Sequence, residues 1–252
     1  MIVNYTSKGW EIITQRAHGL LAAQIASYWK FTYPPNHRLD TILAIAEHDD
    51  TGIEFNQQNL LTPAGGPVHY AMRGFDAKHC GQLMLASRAK SRYFTLLNAM
   101  HLIFLYEKDT SQAARAFIRG QRQLISRLRR ELGVSAAQAD KTYALMQWCD
   151  ALSLLICQHA VQPEHRMTEI SKGPEGISYE LCQLSPDSLS VRPWPFVEPR
   201  FTVSIEFRTL SQLQFTSTAD FQRALEEASI KEKVYTLKVH GIKNQGSPRR
   251  PT

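Results

Sequence analysis

Residues 42–50 read ILAIAEHDD. Ile42 and Ile45 form an apolar stripe at helical spacing, and Asp49 of the adjacent His48-Asp49 pair continues it. Two other segments repeat the pattern of an ionisable group on a greasy face. His18 heads a stripe of Leu21, Ala22, Ile25 and Trp29, and Asp150 sits among Tyr143, Met146, Leu154 and Cys157, all at helical offsets. Helical periodicity therefore directs two imidazoles and two carboxylates toward one interior. An unpaired carboxylate in a dry core costs several kcal/mol or is forced to take up a proton. Two carboxylates beside two imidazoles need a shared compensator, and a divalent cation supplies one. Neutral His nitrogens with hard Asp oxygens suit zinc, manganese, iron or magnesium. The sequence thus predicts a helical body organised around a metal site.

Outward from these segments the chain divides by texture. Residues 1–13 read as a β-hairpin, IVNYT and WEIIT around Ser7-Lys8-Gly9. Thr14 is the expected N-cap of a first helix, 15–29, and Asp40 that of a second. Residues 52–75 read as a loop and 77–106 as two helices, with 96–106 apolar on nearly every side and so expected at the centre. Ser111 opens a helix that Gly133 stops, and Ser135 with Gln138 forms a capping-box pattern for a long helix to about Ala160. After Pro163 short β-prone runs follow (177–183, 189–192, 201–207, 212–216), then a helix at 218–228 and a strand at 234–239. The expected fold class is α+β: a hairpin at 1–13, a helical domain at 14–160, a β-rich extension at 161–240 and a disordered basic tail at 241–252. Two strands alone are marginal, so the hairpin is expected to join the later strands.

Composition narrows the function classes. The four cysteines show no CxxC spacing, so a cytoplasmic location with reduced thiols is expected, without a secretory leader. No apolar run approaches a membrane span, and no P-loop, G-x-G-x-x-G or G-x-S-x-G occurs. Of the formal net charge of +6, residues 231–252 contribute four Lys and two Arg against one Glu. Overall charge therefore gives no reason to expect nucleic acid as a partner. Arg115, Arg119, Arg122 and Arg129 line one side of the 111–132 helix opposite Phe117, Leu124 and Leu128; the expectation for such a run is a solvated face.

The order His18, His48-Asp49, Asp150 on helices resembles the HD-domain superfamily of metal-dependent phosphohydrolases. HGLLAAQIA (18–26), ILAIAEHDD (42–50) and WCDALSLLIC (148–157) look like its three ligand-bearing helices. Over nearly its full length the chain also resembles a bacterial family known only as a domain of unknown function. The carrying segments are ITQRAHGLLAAQIA, EHDD, LLNAMHLIFLY, CDALSLLIC and PWPF (193–196). Thr51-Gly52 departs from that pattern, standing where Gly-Trp is expected.

The superfamily resemblance implies a helical bundle of HD type and a metal-dependent hydrolase acting on a phosphate ester, such as a nucleotide or another small phosphorylated compound. His18, His48, Asp49 and Asp150 would hold one divalent ion. Dinuclear members place two further histidines between the His-Asp pair and the last Asp, an interval that holds His79 and His101. One or two ions are therefore expected. Asp50, Glu47 or His101 would move the proton, and Arg88, Lys90 and Arg92 would meet the substrate phosphate. Two other readings stand beside this one: a dinuclear iron oxygenase, which needs both His79 and His101 as ligands, and a non-catalytic sensor that keeps a structural metal.

Overall fold

Local chemistry sets most element boundaries. The computed structural model of the chain describes residues 1–31, 37–49, 55 and 57–241. Strands β1 (Ile2–Thr6) and β2 (Gly9–Ile13) form the expected hairpin, in register from Ile2↔Ile13 to Thr6↔Gly9. Thr14 then starts α1 (Gln15–Ser27), its hydroxyl oxygen accepting the Ala17 N–H at 3.1 Å. Helix α2 (Arg38–Ala46) is not capped by Asp40. His37 holds the cap position, and Asp40 lies in the first turn, 3.1 Å from His37 Nδ1, where its charge still suits the helix N-terminus.

Asp76 and Ser91 cap α3 (Ala77–Lys90) and α4 (Arg92–Tyr106). Helix α4 is central from Tyr93 to Leu102, but its last turn emerges, leaving Phe104 and Leu105 exposed. Ser111 opens α5 (Gln112–Leu132), and Gly133 closes it in the left-handed region at φ 64°, where a side chain would be strained. The expected capping box starts α6 (Ala136–Cys157): Ser135 Oγ accepts the Gln138 N–H, and the Gln138 side chain accepts the Ser135 N–H.

Strands β3 (Met167–Lys172), β4 (Ser178–Ser185), β5 (Ser188–Arg192), β6 (Arg200–Leu210) and β7 (Ile230–Lys238), with α7 (Thr218–Glu227) before β7, complete the described chain. They join the hairpin in one seven-stranded sheet of order β1-β2-β6-β7-β5-β4-β3. The hairpin enters it through Trp10↔Leu210, Glu11↔Thr209 and Ile12↔Arg208. All neighbours are antiparallel except β5 and β7. Two runs differ from expectation. Residues 212–216 form no strand; Phe215 is buried instead, its N–H donating to the Gly65 carbonyl at 2.9 Å. Met167–Lys172 is a strand with no strong alternation of its own. Lys231, Lys233 and Lys238, counted with the basic end, belong to β7, and residues 242–252 lie outside the described part.

Consecutive strand residues point to opposite faces, so Ile13 joins the helices on one side while Ile12 packs with α7 on the other. The main core ties α1, α2, α4 and α6 to the sheet. Its aromatic centre is Trp29, Trp148, Tyr179 and Phe196, with Trp29 and Trp148 ring centroids 4.8 Å apart. The PWPF segment clips the end of α1: Lys30 N–H donates to Pro195 O and Val197 N–H to Tyr28 O, both at 2.9 Å. Further along α1, the Gln24 amide takes the place of a strand partner. Its Nε2 donates to Ser204 O at 3.0 Å and its Oε1 accepts the Ser204 N–H at 2.9 Å. These contacts fix α1, and with it His18, against the sheet.

Candidate metal centre

His18 is completely buried in the first turns of α1. The next residue explains how α1 comes so close to its neighbour: a Cβ on Gly19 would collide with the carbonyl oxygen of Ala46, the last residue of α2. Glycine at 19 lets the two backbones touch just where the chain leaves α2. His48 and Asp49 lie in the turn that follows, not on the helix itself, so Asp49 does not continue the Ile42–Ile45 stripe. The turn carries His48 to full burial and leaves the Asp49 side chain 23% exposed. Asp150 comes from the middle of α6 and is buried.

These four side chains converge. His18 Nε2 lies 3.3 Å from His48 Nε2, and Asp150 Oδ1 lies 3.0 and 3.3 Å from those two nitrogens. Asp49 Oδ2 is 3.5 Å from His48 Nε2 and 3.9 Å from His18 Nε2. Ligand atoms about 2.1 Å from a common ion are roughly 3.0–3.4 Å apart, so most of these spacings are those of one coordination shell. His101 on α4 joins from the other side, its Nε2 3.7 Å from Asp49 Oδ1. Two overlapping sets, His18 with His48 and Asp49, and His48 with His101 and Asp150, each offer ligand atoms within 4.8 Å of one another and are able to hold a metal ion.

The surrounding hydrogen bonds turn the right nitrogens inward. His48 Nδ1 is 2.7 Å from the Ile45 carbonyl, which can only accept, so Nδ1 keeps a proton and Nε2 is the nitrogen that faces the cluster. Ser153 Oγ donates to Asp150 O at 2.8 Å and is left to accept from His18 Nδ1 at 2.9 Å. His18 Nε2 is thereby aimed inward as well. Gln15 Nε2 donates to Asp49 Oδ2 at 2.8 Å, and the Tyr143 hydroxyl lies 3.4 Å from His101 Nδ1. Burial opposes charge on His48, but the Asp49 and Asp150 carboxylates outweigh it and raise its pKa from 6.5 to about 10. Burial likewise opposes charge on both carboxylates, yet the histidines, His48 foremost, hold them below the usual range. In the metal-free chain a proton on His48 does the electrostatic work that a cation would do.

Other predicted site residues fall elsewhere. His79, half-buried in the first turn of α3, belongs to neither set; burial, then Arg73, lowers its pKa. Glu47 is ion-paired with Lys90. Arg88 is exposed on the last turn of α3, and Arg92 is turned to Glu131 of α5, 3.8 Å away. Asp50 lies outside the described residues. Sequence reasoning missed Gln15, Tyr143 and Ser153. Tyr143 and Ser153 carry a readable signal, since they stand seven residues before and three after Asp150 on the same helix.

Residues 1–212 match the model of a family described as "Protein of unknown function (DUF3891)". The chain belongs to that family. The matched stretch holds every residue of the centre, from Gln15 to Ser153. No curated protein and no solved structure matches the chain. All four cysteines are buried and unbridged, and among the described residues no helix is long and apolar enough to cross a membrane.

Proposed function

We propose that this chain is a metal-dependent hydrolase of a phosphate ester, its helices forming a bundle of HD type. The observation that carries the reading is the meeting of His18, His48, Asp49 and Asp150 from three separate segments at ligand spacing, with Nε2 of both histidines directed inward. The donor set fits a divalent manganese, iron, zinc or magnesium ion: mixed nitrogen and carboxylate oxygen, buried, and oriented by further hydrogen bonds. When bound, such an ion supplies Lewis acidity, drawing in a phosphoryl oxygen and acidifying water so that hydroxide is available near neutral pH.

The protein's own part is to hold, orient and move protons. Ile45 O and Ser153 Oγ fix the two histidine tautomers, and Gln15 orients the Asp49 carboxylate. His101 is the proton carrier, buried between Asp49 Oδ1 and the Tyr143 hydroxyl. Of the three cations expected to meet a phosphate, Lys90 is the one tied, through Glu47, to the ligand-bearing turn. The substrate class is a small phosphorylated compound.

A two-ion variant, and with it the iron oxygenase reading, draws support from Asp49, whose Oδ2 faces His18 and His48 while Oδ1 faces His101. That reading also needs His79 as a ligand. Metal content per chain, in the parent and in His101→Ala, separates the readings: unchanged stoichiometry removes His101 from the ligand list. Hydrolysis of a panel of phosphate esters by protein loaded with each metal tests the reaction. Protein that retains no ion, or retains one and cleaves no ester, defeats the proposal.

A further inference from the structure

Helix α5 contains Arg115, Arg119, Arg122, Arg127, Arg129 and Arg130, no lysine, and a single acid, Glu131. At 100° and 1.5 Å per residue, Arg115, Arg119, Arg122 and Arg130 keep within about 80° of one line over roughly 22 Å. All four are exposed, and among the described residues none has an acidic partner. Glu131 is already shared by Arg92 at 3.8 Å and Arg127 at 3.6 Å. Ala116, Gly120, Gln123 and Ser126, the exposed positions between the arginines, are small or polar, and a Cβ on Gly120 would meet open space. At its C-terminal end the ridge meets a shallow cleft of about 520 Å³ lined by Ser126, Arg129, Arg130, Gly133, Val134 and Ser135. Sequence alone gives these arginines the character of a solvated face. The missing partners, the smooth surface between them and the cleft give them another.

We propose that the α5 arginine ridge is a docking surface for double-stranded nucleic acid, gripping its phosphate backbone without reading its bases. Guanidinium forks match phosphate oxygens in a way that ammonium groups do not. No large apolar or aromatic side chain of α5 is exposed. The ridge therefore offers no platform for stacked single-stranded bases, no wedge for a bilayer and no apolar anchor for a protein interface. Backbone binding to a duplex needs none of these.

The test is fluorescence anisotropy of labelled DNA duplexes of about 20 base pairs, in two unrelated sequences, titrated with the full chain between about 50 and 200 mM salt. Both sequences should bind alike, with log K falling against log salt at a slope of about −3 to −4, as expected for four neutralised phosphates. The variant Arg115→Gln/Arg119→Gln/Arg122→Gln/Arg130→Gln should bind at least about tenfold more weakly with a flatter slope, while its melting temperature stays within about 2 °C of the parent. Lys243→Gln/Arg249→Gln/Arg250→Gln, which discharges the basic end of the chain, should keep most of the binding. Arg119→Glu is the single-site check if the fourfold variant does not fold, and should also weaken binding. The proposal is overturned by absence of binding at the lowest salt, or by loss only in the second variant. It is equally overturned if a glutamate-rich peptide or a phosphatidylserine vesicle binds the ridge and duplex does not compete.

Discussion

The histidine–aspartate centre and the α5 ridge use charge in opposite ways. In the centre every ionisable group is at least half withdrawn from water and answered by a neighbour: His18 by Ser153, His48 by the Ile45 carbonyl, Asp49 by Gln15. On the ridge four guanidinium groups stand in water and, among the described residues, answer nothing in the chain. The first arrangement is expensive to build without a ligand and constrains the fold. The second costs the fold little, and only an outside partner would give it a purpose. Burial of charge is therefore a statement about the molecule itself, whereas unmatched surface charge is a statement about what the molecule meets.

The sharpest way to break this contrast is to neutralise one buried carboxylate. Asp150→Asn should lose the bound ion while keeping the volume of the side chain. For an ion present at a thousand times its dissociation constant the stabilisation is about 4 kcal/mol, and in a chain of this size 1 kcal/mol corresponds to about 2–4 °C. Chelator should therefore lower the parent's melting temperature by about 10 °C and leave Asp150→Asn almost unmoved. A parent indifferent to chelator, together with a variant about 3–5 kcal/mol less stable, would make Asp150 part of a buried salt bridge instead.

Two glycines give the next contrast. Gly19→Ala forces α1 away from the Ala46 carbonyl and should cost about 1–3 kcal/mol, as overpacking does, with weaker metal binding because His18 moves. Gly120→Ala on the exposed face of α5 fills open space and should stabilise by about 0.5–1 kcal/mol. Paired denaturant titrations check both signs, and equal effects would erase the distinction between the two regions.

Proton linkage gives a smaller, graded effect. The raised pKa of His48 stabilises the metal-free fold fully below 6.5 and loses that contribution as pH climbs toward 10. The lowered values of Asp49 and Asp150 contribute above 3.8 and are lost as pH falls below it. Metal-free protein should thus be most stable between about pH 4 and 6.5, with the alkaline decline absent from His48→Gln. Metal affinity should run the other way, rising about tenfold per pH unit on that limb as His48 must give up its proton. The smallest expectation belongs to the ridge: single Arg→Gln changes at 115, 119 or 122 should shift stability by no more than about 0.5 kcal/mol.

What could be read from the sequence was whatever is written locally. The Thr14, Ser111 and Ser135 caps, the Gly133 stop and the stripes under His18 and Asp150 depend on neighbours a few residues away, and each stands as expected. Asp49 was placed correctly in space for a reason that fails in detail, because the turn after α2, and not the α2 stripe, carries it inward. The Tyr143–His101 and Ser153–His18 contacts span 42 and 135 residues, and Gln15 reaches Asp49 across 34, distances at which periodicity is silent. β3 escaped because an edge strand needs only one half-buried face, and MTEISK alternates weakly. The run at 212–216 misled because Phe215 is buried by a loop contact and not by a ladder.

The place of the hairpin in the sheet imposes a schedule on the chain as it is made. β1 and β2 are synthesised well before β6, the strand that pairs with β2 and bonds to α1 through Gln24, which begins at Arg200. At about 5–20 residues per second the ribosome delivers it roughly ten to forty seconds later. Once α6 is complete at Cys157, the segments bearing His18, His48, Asp49, His101 and Asp150 have all been made, while the β2 edge is still unpaired and open to wrong partners. A chain released early, anywhere between residues 158 and 199, would carry every residue of the metal centre yet lack the strand that holds α1 in place. Such fragments should bind metal poorly and aggregate readily, for want of a strand that contributes no ligand.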